Sequence, residues 1–230
     1  MNSLDGFVRI RTATFLDVPR LVELNALAYP DLIEDGVVFD AAQFESHIER
    51  FPEGQIVAEQ DGVVAGALAT LILPPKIDAL AQHTWMGVTD GGTFERHDPT
   101  GRTLYLADIY VAPAFWGRGT SRALYAALFD ACRRLRCDHV IAGGRLWGYA
   151  DVATDMTADE YVRRVVRGEL RDRVLQSQLR AGFAVRGILR GYLHDWRSLG
   201  FATLLEWQNP ERRGAATTPR QHRPSWPVRY

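Results

Sequence analysis

The sequence has few cysteines, no long apolar run and almost no net charge. Its two cysteines, Cys132 and Cys137, are too few for a disulfide framework, and no further cysteine completes a metal site with them. No apolar stretch approaches the roughly 20 residues that a membrane-spanning helix needs. The formal net charge of −1 provides no strongly basic face for a nucleic acid. We therefore expect no membrane partner, no nucleic-acid partner and no metal, and we expect reduced thiols in the cytoplasm.

The length and composition are those of a globular domain with a large core. The chain has 230 residues, of which 47% are hydrophobic and 24% are charged. We predict one domain over residues 1–208 and a basic tail over 209–230 that is disordered in isolation, because the tail has several prolines and no apolar period. The segment 74–102 is predicted to be a long loop, which is either functional or an excursion over the surface. The N-terminus has no charged start followed by an apolar run, so no signal peptide is expected.

Strand and helix patterns alternate along the rest of the chain. Two strands joined by a tight turn at Asp61-Gly62 are predicted over 55–73. A helix start is indicated at Thr157, and a helix end at Gly182. The other predicted elements are strands at 7–12, 104–111, 137–144, 183–189 and 201–207, and helices that begin near Thr14, Asp40 and Thr120.

The most informative stretch is TLYLADIYVAPAFWGRGTSRAL at 103–124. It predicts a half-buried strand that stops before Pro113, then a glycine loop, then an amphipathic helix. Gly117 and Gly119 allow unusual backbone angles and a close approach of the backbone to a ligand. The start of the following helix has N–H groups without helical partners and a partial positive charge. The stretch therefore predicts a binding loop for an anion such as a phosphate.

This loop resembles the pyrophosphate loop of the GNAT superfamily of acyl-CoA-dependent N-acyltransferases. The family pattern is Gln/Arg-x-x-Gly-x-Gly/Ala, and the matching run here is WGRGTS at 116–121. Trp116 stands where the family has Gln or Arg, and Ser121 stands where it has Gly or Ala. The P-loop pattern does not fit, because no lysine follows the last glycine.

A wider resemblance covers residues 55–210. The stretches TDGGTFERHDPTGRTLYLADIYV, IAGGRLWGYA and SLGFATLLEW are similar to the acyltransferase domain that precedes a carbon–nitrogen hydrolase domain in some bacterial proteins. This resemblance implies an α/β fold of the mixed α+β type. Its central sheet would have about seven strands, mixed and mostly antiparallel, with helices on both faces and a cleft where the fourth and fifth strands part.

The same resemblance implies acetyl-CoA as the cosubstrate, with no metal. In the GNAT fold the backbone of the fourth strand pairs with the pantetheine arm, and a backbone N–H polarises the thioester carbonyl. The resemblance assigns these roles to Ile109, Tyr110 and Val111. The residues implied to bind the pyrophosphate are Trp116, Gly117, Arg118, Gly119, Thr120 and Ser121.

Asp108 is the predicted catalytic base. An alkylamine has a pKa near 10.4, so only about one molecule in a thousand is nucleophilic near neutral pH without a base. Asp108 interrupts an apolar strand just before the implied cofactor-binding backbone, and the alternation places it on the face of Leu104 and Leu106. Many GNAT enzymes carry a carboxylate on this strand. The alternative is a structural carboxylate that hydrogen-bonds nearby backbone or pairs with Arg145.

The residue that many GNAT enzymes use as general acid for the departing thiol is absent from this sequence. Many GNAT enzymes place a tyrosine four residues before the Gly-Phe that follows the penultimate helix, but here Gln178 occupies that position. The remaining candidates are Tyr149, Tyr192 and a water, with packing as the alternative role of both tyrosines.

Residues after the fifth predicted strand are candidates for the acceptor site. Arg145, Trp147 and Tyr149 follow Gly143-Gly144, where the cleft should open. An arginine beside aromatic rings can hold a carboxylate or a planar group. The alternative is a glycine turn covered by an aromatic rim.

These observations predict an N-acetyltransferase that moves an acetyl group from acetyl-CoA to the amine of a small molecule. The alternative is a weakly catalytic or non-catalytic acyl-CoA-binding module that partners another protein; a third reading is acetylation of a protein or peptide. The predicted partners are an acyl-CoA and a small amine, and a homodimer stays open. A hydrolase triad is not indicated, because no G-x-S-x-G accompanies His194-Asp195.

Overall fold

One mixed β-sheet runs through the centre of the protein. The structure is a computed structural model, and it describes residues 7–32 and 37–212. The strands are β1 (Arg9–Thr12), β2 (Gln55–Gln60), β3 (Val63–Leu73), β4 (Thr103–Val111), β5 (His139–Arg145), β6 (Ala184–Leu189) and β7 (Ala202–Gln208). They pair in the order β1-β2-β3-β4-β5-β7-β6; β4 and β5 run parallel, and the other described neighbours run antiparallel. The predicted mixed, mostly antiparallel sheet is confirmed.

Helices cover both faces of this sheet. They are α1 (Val18–Ala28), α2 (Ala41–Arg50), α3 (Trp85–Thr89), α4 (Thr120–Arg134), α5 (Ala158–Val166) and α6 (Arg173–Ala181). Side chains of α1, α2 and α3 enter one core, which includes Leu24 and Trp85. Side chains of α4, α5 and α6 enter a second core on the opposite face, which includes Leu128 and Leu175. None of the described helices is long and apolar enough to cross a bilayer.

Short-range sequence signals fix the ends of several elements. Asp61 and Gly62 form the turn between β2 and β3, with φ of +54° and +80°. The Asp40 side chain accepts the N–H of the third residue of α2 at 2.8 Å, and the Thr157 side chain caps α5 in the same way at 3.3 Å. Gly182, with φ of +107°, ends α6. These elements begin and end where the sequence predicts.

A bulge in β4 changes the face on which Asp108 lies. Leu106 pairs with Thr70 of β3 and Asp108 pairs with Ala69, so Ala107 is an extra residue in the strand. Leu104 and Leu106 face α4, whereas Asp108 hydrogen-bonds to α1 on the other side of the sheet. The predicted face of Asp108 is therefore wrong, because one inserted residue reverses a period-2 pattern.

The strands β4 and β5 separate after a short parallel ladder. Their pairing begins at Thr103 with His139 and ends at Leu106 with Ala142. Both strands continue beyond that point, β4 to Val111 and β5 to Arg145. The result is the cleft that the family resemblance implies between the fourth and fifth strands.

The segment 74–102 is part of the core and not a surface excursion. It contains α3, and the side chains of Trp85 and Phe94 are buried in the core formed with α1 and α2. The indole Nε1 of Trp85 donates to the carbonyl of Ala107 at 3.0 Å, in the bulge of β4. The segment therefore supports the wall of the cleft on the α1 side.

The ordered chain extends past the predicted domain boundary at residue 208. Asn209 is buried, and its Nδ2 donates to the carbonyl of Cys137 at 2.8 Å. Arg212 forms an ion pair with Asp138 at 3.1 Å. The rest of the predicted tail, 213–230, lies outside the described residues.

The buried carboxylate of Asp172 fixes the start of α6. Its Oδ1 accepts the N–H groups of Val174 and Leu175, each at 2.9 Å, and its Oδ2 accepts the Tyr161 hydroxyl of α5 at 3.0 Å. One side chain thus caps α6 and joins it to α5.

We expect Asp172→Ala to lower the free energy of unfolding by about 2 kcal/mol, because the substitution removes a buried cap and leaves the Tyr161 hydroxyl without its partner. Urea unfolding followed by circular dichroism measures this change. Asp172→Asn is the control, since its Oδ1 still caps the helix, and it should lose less. Equal losses for the two variants would contradict the capping role.

Candidate functional site

A cavity of about 590 Å³ lies between the separated ends of β4 and β5. This volume is typical of small-molecule sites. Two predicted site residues do not line it: Arg118, whose guanidinium reaches Asp61 at 3.2 Å, and Tyr149. The predicted site residues that do line it are Asp108, Ile109, Tyr110, Val111, Trp116, Gly117, Gly119, Thr120, Ser121, Arg145, Trp147 and Tyr192.

One end of the cavity is the start of α4. Gly117 and Gly119 have φ of +77° and +84°, and this backbone conformation favours glycine at both positions. Within the described chain, no side chain caps α4 at Gly119. The Thr120 hydroxyl instead donates to Gln60 Oε1 of β2 at 2.9 Å and anchors the loop to the sheet. The first N–H groups of α4 therefore face the cavity without a helical acceptor, as an anion site requires.

Trp116 covers the loop from outside. Its indole Nε1 donates to the carbonyl of Val111 at 2.8 Å, and the guanidinium of Arg173 lies 5.4 Å from its ring. The Trp116 side chain is 55% exposed, so it can move without disturbing the core. The family pattern has Gln or Arg at this position, and neither of those side chains carries an aromatic ring.

The free edge of β4 runs from the bulge toward this loop. Tyr110 pairs with Ala67 of β3, whereas the carbonyls of Ile109 and Val111 accept from the Tyr29 hydroxyl at 3.2 Å and from Trp116. Backbone groups of successive residues alternate between the two edges of a strand. The N–H groups of Ile109 and Val111 therefore also point to the cleft, where an extended ligand can pair with them.

Asp108 lies at the other end of the cavity, in the interior of the protein. Its Oδ1 accepts the Tyr29 hydroxyl at 2.5 Å, and its Oδ2 accepts Nδ2 of Asn25 at 2.7 Å. Burial raises the pKa of Asp108 to about 6, although both hydrogen bonds act in the opposite direction. Arg145 is not its partner. A carboxylate with this pKa is ionised at neutral pH and accepts a proton more readily than an exposed aspartate.

Asn25 and Tyr29 are the hydrogen-bond partners of Asp108, and the sequence did not reveal either of them. They lie four residues apart and so share one face of α1. The Asn25 Oδ1 accepts the N–H of Phe39 at 2.8 Å, which leaves its Nδ2 to donate to Asp108. The available signal was a polar residue in the apolar stripe of α1, because a fully buried asparagine needs specific partners.

Arg145 is held by two carboxylates of the protein. Its Nε and Nη2 donate to Asp195 at 2.5 and 2.7 Å, and Nη2 also donates to Asp31. Asp31 in turn lies 3.3 Å from Nε of Arg197. This network joins the end of β5 to the segments after α1 and before β7. A substrate carboxylate at Arg145 would have to compete with Asp31 and Asp195.

The two predicted aromatic residues after β5 have different surroundings. Trp147 lies in the cavity wall between two guanidinium groups, with its ring centre 3.9 Å from Cζ of Arg173 and 4.5 Å from Cζ of Arg197. Tyr149 packs against Phe201, and its hydroxyl donates to the carbonyl of Met156 at 3.2 Å. Trp147 therefore belongs to the cavity wall beside Arg173, whereas Tyr149 lies outside the cavity.

The Gly143-Gly144 pair makes room for two side chains that enter the cleft. A Cβ on Gly143 would lie 2.1 Å from the ring of Tyr192, and a Cβ on Gly144 would lie 2.5 Å from Oε1 of Gln178. Glycine at both positions therefore allows the side chains of Tyr192 and Gln178 to lie close to the backbone of β5. The Tyr192 hydroxyl shares a hydrogen bond of 2.9 Å with the Tyr105 hydroxyl, and burial raises the pKa of Tyr192.

Gln178 has an unsatisfied acceptor that is packed against Gly144. Its side chain is 5% exposed, and its Oε1 has no hydrogen-bond partner among the described residues. A buried amide oxygen without a partner costs free energy.

Comparison with known proteins identifies the family. The sequence model described as Acetyltransferase (GNAT) family matches residues 18–149, more than half of the chain. The chain belongs to the GNAT acetyltransferase family. It is 33% identical over 200 residues to Uncharacterized N-acetyltransferase YkwB of Bacillus subtilis, a match that covers 87% of this chain and 88% of that protein.

A second relative is a longer protein. The GNAT chain is 34% identical over 222 residues to Probable hydrolase YhcX of Bacillus subtilis, and the match covers 96% of the chain. It spans only 42% of YhcX. This agrees with the resemblance to an acyltransferase domain that is joined to a hydrolase-like partner.

Solved structures confirm the GNAT fold. The loading GNATL domain of CurA from Lyngbya majuscula has a TM-score of 0.76 at 20% identity, covering 90% of this chain and 100% of that one. The GphF GNAT-like decarboxylase, solved with isobutyryl-CoA, has a TM-score of 0.73 at 26% identity, covering 87% and 99%. The yncA protein from Salmonella typhimurium, solved with acetyl-CoA, has a TM-score of 0.55 at 18% identity, covering 89% and 95%.

We expect Gln178→Met to raise the free energy of unfolding of the ligand-free protein by about 1 kcal/mol, because it removes a buried acceptor that has no partner. Chemical denaturation measures the change. The control is Gln55→Met, since Gln55 is equally buried but donates to two backbone carbonyls, at 3.0 and 2.9 Å, and should lose stability. Equal destabilisation by the two variants would show that Oε1 of Gln178 is already satisfied.

Proposed function

We propose that this protein is an N-acetyltransferase that moves the acetyl group of acetyl-CoA to the amine of a small molecule. One observation carries the proposal. A single cavity joins the uncapped start of α4, the free edge of β4 and the buried carboxylate of Asp108. These are the three parts that acyl transfer needs: an anion site, a backbone edge to hold an extended thioester, and a base.

The binding half of the proposal rests on backbone groups. The pyrophosphate would bind at the N–H groups of 117–121, and the pantetheine arm would pair along β4 with Ile109 and Val111. Arg122 and Arg173 also line the cavity and add positive charge at this end. The acyl-CoA ligands named in the yncA and GphF structures support this placement.

The chemical half rests on Asp108 and β4. The amine nitrogen attacks the thioester carbonyl, and Asp108 accepts the proton that the nitrogen loses as the C–N bond forms. A backbone N–H of β4 stabilises the negative oxygen of the tetrahedral intermediate, an effect worth about 3 kcal/mol per donor in other enzymes. The C–S bond then breaks and the thiolate leaves, taking the proton from Asp108.

The acceptor end of the cavity favours a small amine. Its wall on the α1 side is formed by aromatic and aliphatic side chains, which suit an amine with a compact apolar group. These side chains are Tyr29, Leu32, Val37, Trp85 and Leu193.

A second candidate is the decarboxylation of an acyl-CoA that carries an additional carboxylate. The GphF structure, which is described as a GNAT-like decarboxylase and has a TM-score of 0.73 at 26% identity against 0.55 at 18% for yncA, favours it. In that reaction a C–C bond breaks, carbon dioxide leaves, and the thioester enolate takes a proton at carbon.

Two measurements separate these functions. Calorimetry with acetyl-CoA tests the binding site, and release of free CoA thiol in the presence of a panel of small amines tests transfer. Loss of carbon dioxide from malonyl-CoA without an amine would instead support the decarboxylase. Failure of acetyl-CoA to bind would contradict the proposal at its first step.

We expect Asp108→Asn to lower kcat by about 10²-fold or more while the Kd of acetyl-CoA is unchanged. The amide can keep the local contacts, because its oxygen accepts from Asn25 and its nitrogen donates to Tyr29, whose hydroxyl turns to the carbonyl of Ile109. The matched control is Asp172→Asn, a buried carboxylate outside the cavity. Similar kcat values for both variants would remove Asp108 from the chemistry.

We expect kcat/KM of the wild-type protein to rise with pH more steeply below about 6 than above it, where only the ionisation of the free amine still contributes. The sign follows from the direction of the shift: burial raises the pKa of Asp108, and only the ionised form above that pKa accepts a proton. Initial rates between pH 5 and 8 measure this dependence of kcat/KM on pH. A profile whose slope does not change near pH 6 would contradict the role of Asp108 as base.

A further inference from the structure

Three side chains connect the cavity to the surface of segment 74–102. Tyr192 lines the cavity, and its hydroxyl lies 2.9 Å from the hydroxyl of Tyr105. The Tyr105 hydroxyl lies 3.0 Å from Nε2 of His83, which is half-buried. Tyr105 itself is fully buried and does not line the cavity. These contacts form one unbranched chain of hydrogen bonds.

The backbone around His83 sets the direction of this chain. Nδ1 of His83 lies 2.9 Å from the carbonyl of Ala81, and a carbonyl only accepts, so Nδ1 carries the proton. Burial lowers the pKa of His83, which keeps the ring neutral and leaves Nε2 as an acceptor. Tyr105 then donates to Nε2, and Tyr192 donates to Tyr105. The hydroxyl proton of Tyr192 therefore points to Tyr105, and its oxygen, which also meets the backbone N–H of Gly143, keeps a second lone pair to accept a proton.

Edge-on ring contacts hold His83 in this position. Its ring centre lies 5.5 Å from that of Tyr105 and 5.9 Å from that of Tyr192, with interplanar angles of 72° and 76°. Both tyrosine rings are buried, so the three groups stay aligned without the help of solvent.

Acetyl transfer to an ammonium releases one proton that must leave the cavity. The balance is R–NH3+ plus CH3CO–SCoA giving CH3CO–NHR, CoA–SH and H+. Asp108 moves one proton from nitrogen to sulfur within the site. The other proton has to be removed before the nitrogen can attack, because an ammonium has no lone pair.

We propose that Tyr192, Tyr105 and His83 form a relay that exports this ammonium proton from the cavity to the surface. The inference rests on the proposed acetyltransferase function. The ammonium gives a proton to the oxygen of Tyr192, Tyr192 gives its own to Tyr105, and Tyr105 gives its own to Nε2 of His83. The resulting imidazolium releases the Nε2 proton to water and keeps the Nδ1 proton. The two hydroxyls then turn, so that Tyr192 again donates to Tyr105 and Tyr105 again donates to Nε2.

The relay assigns distinct roles to its members. Tyr192 contacts the acceptor and is the catalytic residue, here as a proton acceptor instead of the general acid considered from the sequence. Tyr105 and His83 act through Tyr192. Burial raises the pKa values of both tyrosines, so the three protons shift together and no tyrosinate accumulates.

The first test is kinetic and uses Tyr105→Phe. We expect kcat for acetyl transfer to fall about 10²-fold with an unchanged Kd for acetyl-CoA, because the relay is cut at a residue that does not touch the ligands. The solvent deuterium isotope effect should change from a multi-proton to a single-proton dependence on deuterium content. The matched control is Tyr161→Phe, a buried tyrosine whose hydroxyl bonds to Asp172 outside the cavity. Equal rates and isotope effects for the two variants would overturn the relay.

The second test does not depend on turnover. The ¹⁵N chemical shifts of the His83 ring should show the proton on Nδ1 in the ligand-free protein, and Tyr105→Phe should leave it there but move the Nε2 resonance, which loses its hydrogen-bond donor. A wild-type ring protonated on Nε2 would reverse the chain and overturn the proposal. If no amine is acetylated but the Nδ1–H form is found, the result contradicts the acetyltransferase function and still supports the direction of the hydrogen bonds. If Tyr105→Phe does not fold, His83→Asn at a half-buried position replaces the last group of the relay with one that cannot take up a proton, and the same fall in kcat is expected.

Discussion

The separation of β4 from β5 is the constraint on which the rest of the site depends. The parallel ladder ends at Leu106 and Ala142, and beyond it the inner edge of β4 has no neighbouring strand. Backbone groups that leave a sheet need other partners. Here the Tyr29 hydroxyl and the Trp116 indole take two carbonyls, and the remaining edge is available to a ligand. The gap thus creates both the cavity and its main binding surface.

The second constraint is the burial of a single carboxylate beside that gap. The bulge at Ala107 turns Asp108 toward α1, where Asn25 and Tyr29 hold both of its oxygens. Burial disfavours the charge and the two hydrogen bonds favour it, and the balance leaves a pKa of about 6. Arg145, which also lines the cavity, is neutralised separately by Asp195 and Asp31. Asp108 and Arg145 therefore have different partners.

Segment 74–102 links these features to the surface. Trp85 supports the bulge of β4, and His83 ends the hydrogen-bond chain that begins at Tyr192. A long segment between two strands of a compact domain is usually functional or mobile. Here the segment is packed, and it contributes side chains both to the cavity wall and to the proposed path for a proton.

Local signals in the sequence determined the turn at Asp61-Gly62, the caps at Asp40 and Thr157, the glycine loop before α4 and the family. These depend on backbone angles and periodicity over a few residues, which any one segment carries by itself. Tertiary structure alone decided the face of Asp108, the partners of Arg145 and the exclusion of Tyr149 from the cavity. Asn25 and Asp108 are 83 residues apart in the chain, and their bond exists only because a bulge and a helix meet. Such pairings are set by packing between distant elements, for which no single stretch of this sequence holds a pattern.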